Sequence, residues 1–260
     1  MLCKFIDRGF AALLGSHMHL KRVSFLSDTY PKKDIYPFNL DIFRYSNEIV
    51  FQSNLTFLVG ENGAGKSTLL EATSHRCGFH IWRGHSRSRY NKNPYEKELF
   101  RYISLDWEDG RVPGSFFASD IFRNFARNLD EWASMDPDML SHFGGKSLMS
   151  QSHGQSLMSL FKARYKIKGL YLLDEPETAL SPKSQLELLS VLNRMSSQGH
   201  AQFIIATHSP ILLACPGAVI LSFDDYPIKT IQYEETAYYK LYKAFLEDRD
   251  QVLANLHAYR

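Results

Sequence analysis

The stretch Leu55-Thr56-Phe57-Leu58-Val59-Gly60-Glu61-Asn62-Gly63-Ala64-Gly65-Lys66-Ser67-Thr68-Leu69-Leu70 decides how this chain is read. Leu55 to Val59 is the continuous apolar run expected of a strand buried on both faces. It passes into a glycine-rich loop and then a helix predicted from about Gly65 to His75. Gly60 to Ser67 fits G-x-x-x-x-G-K-[ST], and each residue type has a physical task. The glycines let successive backbone N–H groups turn inward around phosphates, where side chains would obstruct. The helix beginning there adds its positive end. Lys66 reaches the terminal phosphates, and the Ser67 hydroxyl is an oxygen ligand for Mg2+. The octapeptide alone arises by chance in roughly one chain in a hundred of this length, so the strand before it and the helix after it carry the weight. Gly60, Asn62, Gly63, Gly65, Lys66, Ser67 and Thr68 are the candidate nucleotide-binding residues.

Further along, Leu170 to Leu173 is a second buried run and ends in Asp174-Glu175-Pro176. Two carboxylates there stand at the carboxyl end of a strand, where ligands bind in open α/β sheets. Asp174 is placed to hold Mg2+, and Glu175 to orient or deprotonate an attacking water. Ser181-Pro182 predicts a helix cap with proline in the first turn, followed by Leu188, Leu192 and Met195 on one face. Phe203 to Ala206 and Val219 to Phe223 are further strands, with Thr207-His208-Ser209 closing the first of them. Asp120 to Trp132 carries Phe122, Phe125, Leu129 and Trp132 at helical spacing, and Ala237 to Leu246 reads as a terminal amphipathic helix. Toward the N-terminus, Leu20 to Leu26 and Asp41 to Gln52 read as antiparallel strands. Strands alternating with helices predict an α/β fold with a largely parallel central sheet.

Composition excludes other classes. The 260 residues are 44% hydrophobic and 22% charged, which supports a sizeable core. A net charge of +2 does not by itself point to nucleic acid or membrane. Three cysteines without metal-ligand spacing support neither a disulfide framework nor a zinc site, and a cytoplasmic location is the simple expectation. The most apolar stretch, Phe203 to Phe223, is interrupted by Thr207 to Pro210 and by Pro216, so no membrane span is expected. Residues 1–17 read as an extension or a tag remnant, with the domain proper at 18–260. The basic stretch around Trp82, Arg83, His85, Arg87, Arg89, Tyr90 and Lys92 reads as a solvated surface loop, with a phosphate-backbone-binding patch as the alternative.

Taken in order, these elements resemble the ATP-binding-cassette (ABC) ATPases. Gly60 to Ser67 is similar to their Walker A motif. Ser152-His153-Gly154-Gln155 is similar to their signature, Leu172 to Pro176 to Walker B with its catalytic glutamate, and His208 to the switch histidine. Asp174 to Pro182 looks most like the soluble bacterial branch related to chromosome-maintenance, recombination and phage-defence heads. The resemblance implies a P-loop NTPase head with a central, largely parallel sheet, an antiparallel β-subdomain and a small helical arm at about 114–165. It implies ATP and Mg2+ as cofactors, Glu175 and His208 as catalytic residues, and a homodimer induced by ATP. Ser152, His153, Gly154 and Gln155 of one copy would then face the nucleotide of the other. DNA or an effector protein on a separate chain is the implied partner, with no membrane.

Three departures stand out. His153 occupies a usual glycine position of the signature. Ser181 replaces the usual D-loop aspartate. No glutamine occurs between Gln52 and Gln151, so the Q-loop ligand is missing, and Asp120 is the candidate replacement, with a helix cap as the alternative. Tyr36 and Phe38 are the aromatic candidates for adenine stacking. Two other readings remain: the nucleotide-binding subunit of an ABC transporter, and a nucleotide-binding module without turnover. A GTPase is excluded, because Asn91-Lys92-Asn93-Pro94 lacks the aspartate that reads guanine.

Overall fold

A computed structural model describes residues 18–81, 93–143 and 145–255. Residues 1–17 and the basic stretch at 82–92 lie outside the described residues. Nine strands and eight α-helices are described, and the helices alternate with the strands of a central sheet. The strands are β1 (Leu20–Phe25), β2 (Glu48–Val50), β3 (Leu55–Val59), β4 (Ile103–Trp107), β5 (Gly114–Ala118), β6 (Gly169–Asp174), β7 (Ala201–Ala206), β8 (Val219–Ser222) and β9 (Lys229–Ile231). The helices are α1 (Asp41–Tyr45), α2 (Lys66–Cys77), α3 (Ser119–Ala133), α4 (His153–Arg164), α5 (Pro182–Ser197), α6 (Pro210–Leu213), α7 (Ala237–Glu247) and α8 (Arg249–Ala254).

The central sheet runs β5-β6-β7-β3-β8-β9 and is parallel except for β9. Alternate residues of its inner strands enter two different cores. Phe57, Tyr171, Leu173, Phe203 and Ile205 join α4 and α5 on one face. Leu58, Leu170, Leu172, Ile204 and Ala206 meet α1, α2 and the small sheet on the other. That two-sided burial is why these strands read as unbroken apolar runs. The small sheet, β2-β1-β4, is antiparallel. Fully buried Gln202 of β7 ties it to the large one: its Oε1 accepts from the His19 and Leu20 N–H groups, at 3.0 and 2.7 Å, and its Nε2 donates to Leu20 O.

Three expectations are corrected. Asp41 to Gln52 is not one strand: α1 precedes β2, with Asp41 at the positive end of α1 and both Ile42 and Phe43 buried. Phe43 packs beneath the phosphate loop, and a single helical turn places it there. Second, α7 is followed by α8 and so is not terminal. Third, Gly114 to Ala118 is the edge strand of the central sheet, so the helical stretch begins only at Ser119.

Candidate functional site

The parallel register brings the functional side chains together. Leu58 and Asp174 both pair with Ala206, Val59 pairs with Ser222, and Ala118 pairs with Asp174. The segments after β3, β5, β6, β7 and β8 therefore emerge along one edge, at the carboxyl ends of the strands.

Gly65 opens α2 at φ 103°, and a Cβ there would stand 2.9 Å from the Phe43 ring, so both conformation and space demand glycine. It supplies no side-chain cap, which leaves the first turn of α2 as an anion-receptive helix end. Lys66 is buried, and its Nζ donates to Gly60 O at 2.6 Å and to Glu61 O at 2.8 Å. Burial lowers its pKa, opposed by the charges of Asp224, Glu175 and Asp174. The Ser67 hydroxyl donates to Asp174 Oδ1 at 3.1 Å. Burial pushes the Asp174 carboxyl up to about 6; the Ser67 hydrogen bond opposes this, and the nearby Glu175 and Asp120 carboxylates add to it. Asp120 is exposed in the first turn of α3, whose cap position is Ala118, without a side-chain hydrogen bond.

Glu175 has φ 46°, a left-handed backbone rare for a residue with a Cβ, and such strain clusters at functional sites. Two bonds pin it, Glu175 N donating to Ala206 O and Ser119 Oγ donating to Glu175 O. His208 Nε2 lies 3.1 Å from Glu175 Oε1, and the His208 backbone N–H donates to Glu177 Oε1 at 2.6 Å. On the other side of the ring, Tyr238 Oη lies 2.5 Å from Nδ1.

The signature residues stand elsewhere, at the exposed N-terminus of α4. Ser152 caps the helix: its Oγ accepts from Gln155 N, and Gln155 Oε1 accepts from Ser152 N. Two backbone N–H groups of this helix end, those of Ser152 and Gln155, are thus engaged locally, the Gln155 bond over a long 3.4 Å. The His153 ring meets Phe122 of α3 edge-on. At Gly154 a Cβ would meet Ala179 O at 3.1 Å, so glycine lets α4 approach the loop after β6.

Several contributors escape the sequence reading. Tyr238 reaches the site from α7, past the last motif. Gln185 of α5 accepts from Ser209 Oγ and donates to Leu180 O, joining the loop before Ser181 to the loop of His208. Asp224, just after β8, accepts from Glu61 N at 2.7 Å; the rule of strand carboxyl ends that singled out Asp174 would have found it. Phe38 is fully buried among Tyr30, Tyr95 and Tyr102 and cannot stack on a ligand. Tyr36 instead hydrogen-bonds Thr68 Oγ1 at 2.8 Å. A hollow of about 290 Å³ beside the loop is walled by Ile42, Asn62, Ala64, Asp224 and Tyr226, and the Tyr226 ring stacks on Tyr45.

Residues 156–214 match a family model described as "AAA domain, putative AbiEii toxin, Type IV TA system", and residues 38–74 match one described as "AAA domain". The cytochrome c biogenesis ATP-binding export protein CcmA of Gluconobacter oxydans is 32% identical over 167 residues, 60% of this chain and 69% of that protein. The chain belongs to the ABC class of ATPases. This ABC ATPase is also similar to the cobalt import ATP-binding protein CbiO of Salmonella typhimurium, 27% identical over 191 residues that span 64% of the chain and 69% of the relative. Among solved structures, cbiO1 from Clostridium perfringens, part of the transporter complex cbiONQ, aligns over 92% of this chain and 99% of its own, with 18% identity and a TM-score of 0.46. The class binds ATP and hydrolyses it to ADP and phosphate.

Proposed function

We propose that this ABC ATPase is an ATP-driven switch in which two copies close head to tail around two nucleotides and hydrolysis releases them. Gly60, Asn62, Gly63, Gly65, Lys66, Ser67 and Thr68 take the triphosphate in this reading. The hollow beside Tyr226 takes the nucleoside, in place of stacking on Tyr36 or Phe38. Ser67 and Asp174 fit Mg2+, an ion held by one or two protein oxygens plus water and substrate phosphates. The fit rests on the Ser67 hydroxyl and the partly buried Asp174 carboxyl standing 3.1 Å apart, two hard oxygen donors side by side. Asp120, close enough to act on Asp174, is the proposed replacement for the missing Q-loop ligand. Bound Mg2+ would supply charge neutralisation on the phosphates. Glu175 accepts a proton from the attacking water, and His208 holds Glu175 in place and faces the terminal phosphate.

The observation supporting the closed pair is the exposed signature at the start of α4, where Ser152, His153 and Gln155 lie at the surface of a helix N-terminus, a kind of position that receives anions. A second copy's phosphate would complete it. The single head at 18–260, a cytoplasmic location and a DNA or effector partner in repair or defence belong to the same reading. Among the described residues no helix is long and apolar enough to cross a membrane. The nucleotide-binding subunit of a transporter is the second reading, favoured by the similarity to CcmA and CbiO.

Light scattering separates the two. Glu175→Gln keeps ATP, slows turnover by about 10²–10⁴-fold, and runs as a dimer in Mg-ATP that Ser152→Arg disperses. A monomer under saturating Mg-ATP, or a dimer indifferent to Ser152→Arg, sinks the switch and favours the transporter subunit.

A further inference from the structure

The proton inventory around His208 assigns a role to α7. Tyr238 is the second residue of α7, behind the buried cap Thr236, and its ring stands edge-on to the imidazole, 83° between planes. Its hydroxyl has two neighbours, Gly60 O at 2.9 Å and His208 Nδ1 at 2.5 Å. A backbone carbonyl can only accept, so the single phenolic proton goes to Gly60 O. The phenol oxygen must then accept from His208, which puts a proton on Nδ1. Burial and the carboxylates of Asp224, Glu175 and Glu177 push the Tyr238 phenol up to about 12, so it keeps its proton at neutral pH.

We propose that Tyr238 is a positioning residue for His208: by holding a proton on Nδ1 it makes Nε2 the ring atom that meets Glu175 and the reacting phosphate. With Nδ1 committed, the 3.1 Å contact between Nε2 and Glu175 Oε1 is a hydrogen bond that carries a proton of its own, shared between the ring and the carboxyl. The ring nitrogens meet Glu175, just after β6, and Tyr238 of α7, while Glu177 of the following loop accepts from the His208 backbone N–H. Gly60 O also accepts from Lys66, so the same carbonyl touches the phosphate-binding lysine and, through Tyr238, the histidine. Lys66 can exchange that carbonyl for a phosphate oxygen while Tyr238 remains bonded to it. The lock on His208 therefore persists through nucleotide binding, and α7 is tied to the reacting edge. This inference rests on the reading of Glu175 and His208 as the reacting pair.

The test is Tyr238→Phe, which keeps the ring and deletes the hydroxyl, in full-length protein labelled with 15N-histidine. His208→Gln assigns the His208 resonances by subtraction from the ten histidines. The parent should show a protonated Nδ1 at His208, and Tyr238→Phe should lose that signature. Its kcat should fall about 10–100-fold, by analogy with the loss on removing the partner that orients a metal-bound histidine, with KM for ATP and the melting temperature nearly unchanged. An unaltered 15N pattern with unaltered kcat overturns the inference, as does a loss confined to KM or to melting temperature. Full turnover in His208→Gln would overturn the reading of the site and this inference with it. An inactive His208→Gln beside a fully active, spectrally unchanged Tyr238→Phe overturns the inference alone.

Discussion

The strand-end edge and the start of α4 are both proposed to meet phosphate, yet they are built differently. At the edge, five strand ends in fixed register bring Lys66, Ser67, Asp174, Glu175 and His208 together, and each is bonded to another part of the same edge. At the start of α4, Ser152 and Gln155 bond mainly to each other, and the surface beyond them is solvent. The difference teaches that one region is knit together by bonds from several elements, while the other is held by its own helix cap and leaves an exposed face, which the proposed closed pair would cover.

Substitutions can break that contrast, beginning with the largest effect. Lys66→Ala should cost about 10³-fold in ATP affinity, the scale of about 4 kcal/mol for truncating one partner of a charged contact, while the fold persists. Calorimetry reads it, and unchanged affinity in a folded variant removes the loop from the site.

Asp174→Asn should abolish turnover and stabilise the protein. The folded value of about 6 lies above the ordinary 3.8 of an aspartate, so folding favours the neutral carboxyl. That stabilisation is full below about pH 4 and is lost as pH rises through 6. Asparagine, neutral throughout, should exceed the parent by up to about 3 kcal/mol at pH 7–8, with the gap closing in acid. Urea unfolding with a chelator and no nucleotide measures it; a variant less stable than the parent at pH 8 contradicts the cause assigned to the shift.

The smallest effect sharpens the other side. Ser152→Ala should cost about 1 kcal/mol through its lost helix cap and leave ATP affinity of the single chain intact. A large loss of affinity in the monomer would mean that the two regions communicate within one copy.

Much of this was legible in the residues, for a physical reason. Strands buried on both faces are mostly apolar, so Leu55 to Val59, Leu170 to Leu173 and Phe203 to Ala206 announce themselves, and the candidate site residues follow directly after each. α1 was not legible, because five residues are too few to show a helical period and Phe43 owes its place to contact with Gly65. Phe38 resembles a surface aromatic in sequence and is set by an aromatic cluster whose other members lie before and well after it. Tyr238 sits in an ordinary amphipathic pattern, and only the fold carries α7 back over Gly60. Asp120 is partly legible: its nearness to Asp174 follows from the pairing of Ala118 with Asp174, which no local pattern encodes.

The folded-back ammonium of Lys66 has a thermodynamic consequence. Its two carbonyl bonds mean that a buried charge already has company, so engaging a phosphate is an exchange of partners and not the rescue of a stranded ion. The loop is thereby spared the collapse that an unaccompanied cation would provoke. In the proposed function, Gly60 and Glu61 are the resting berth of the ammonium, which a phosphate takes over.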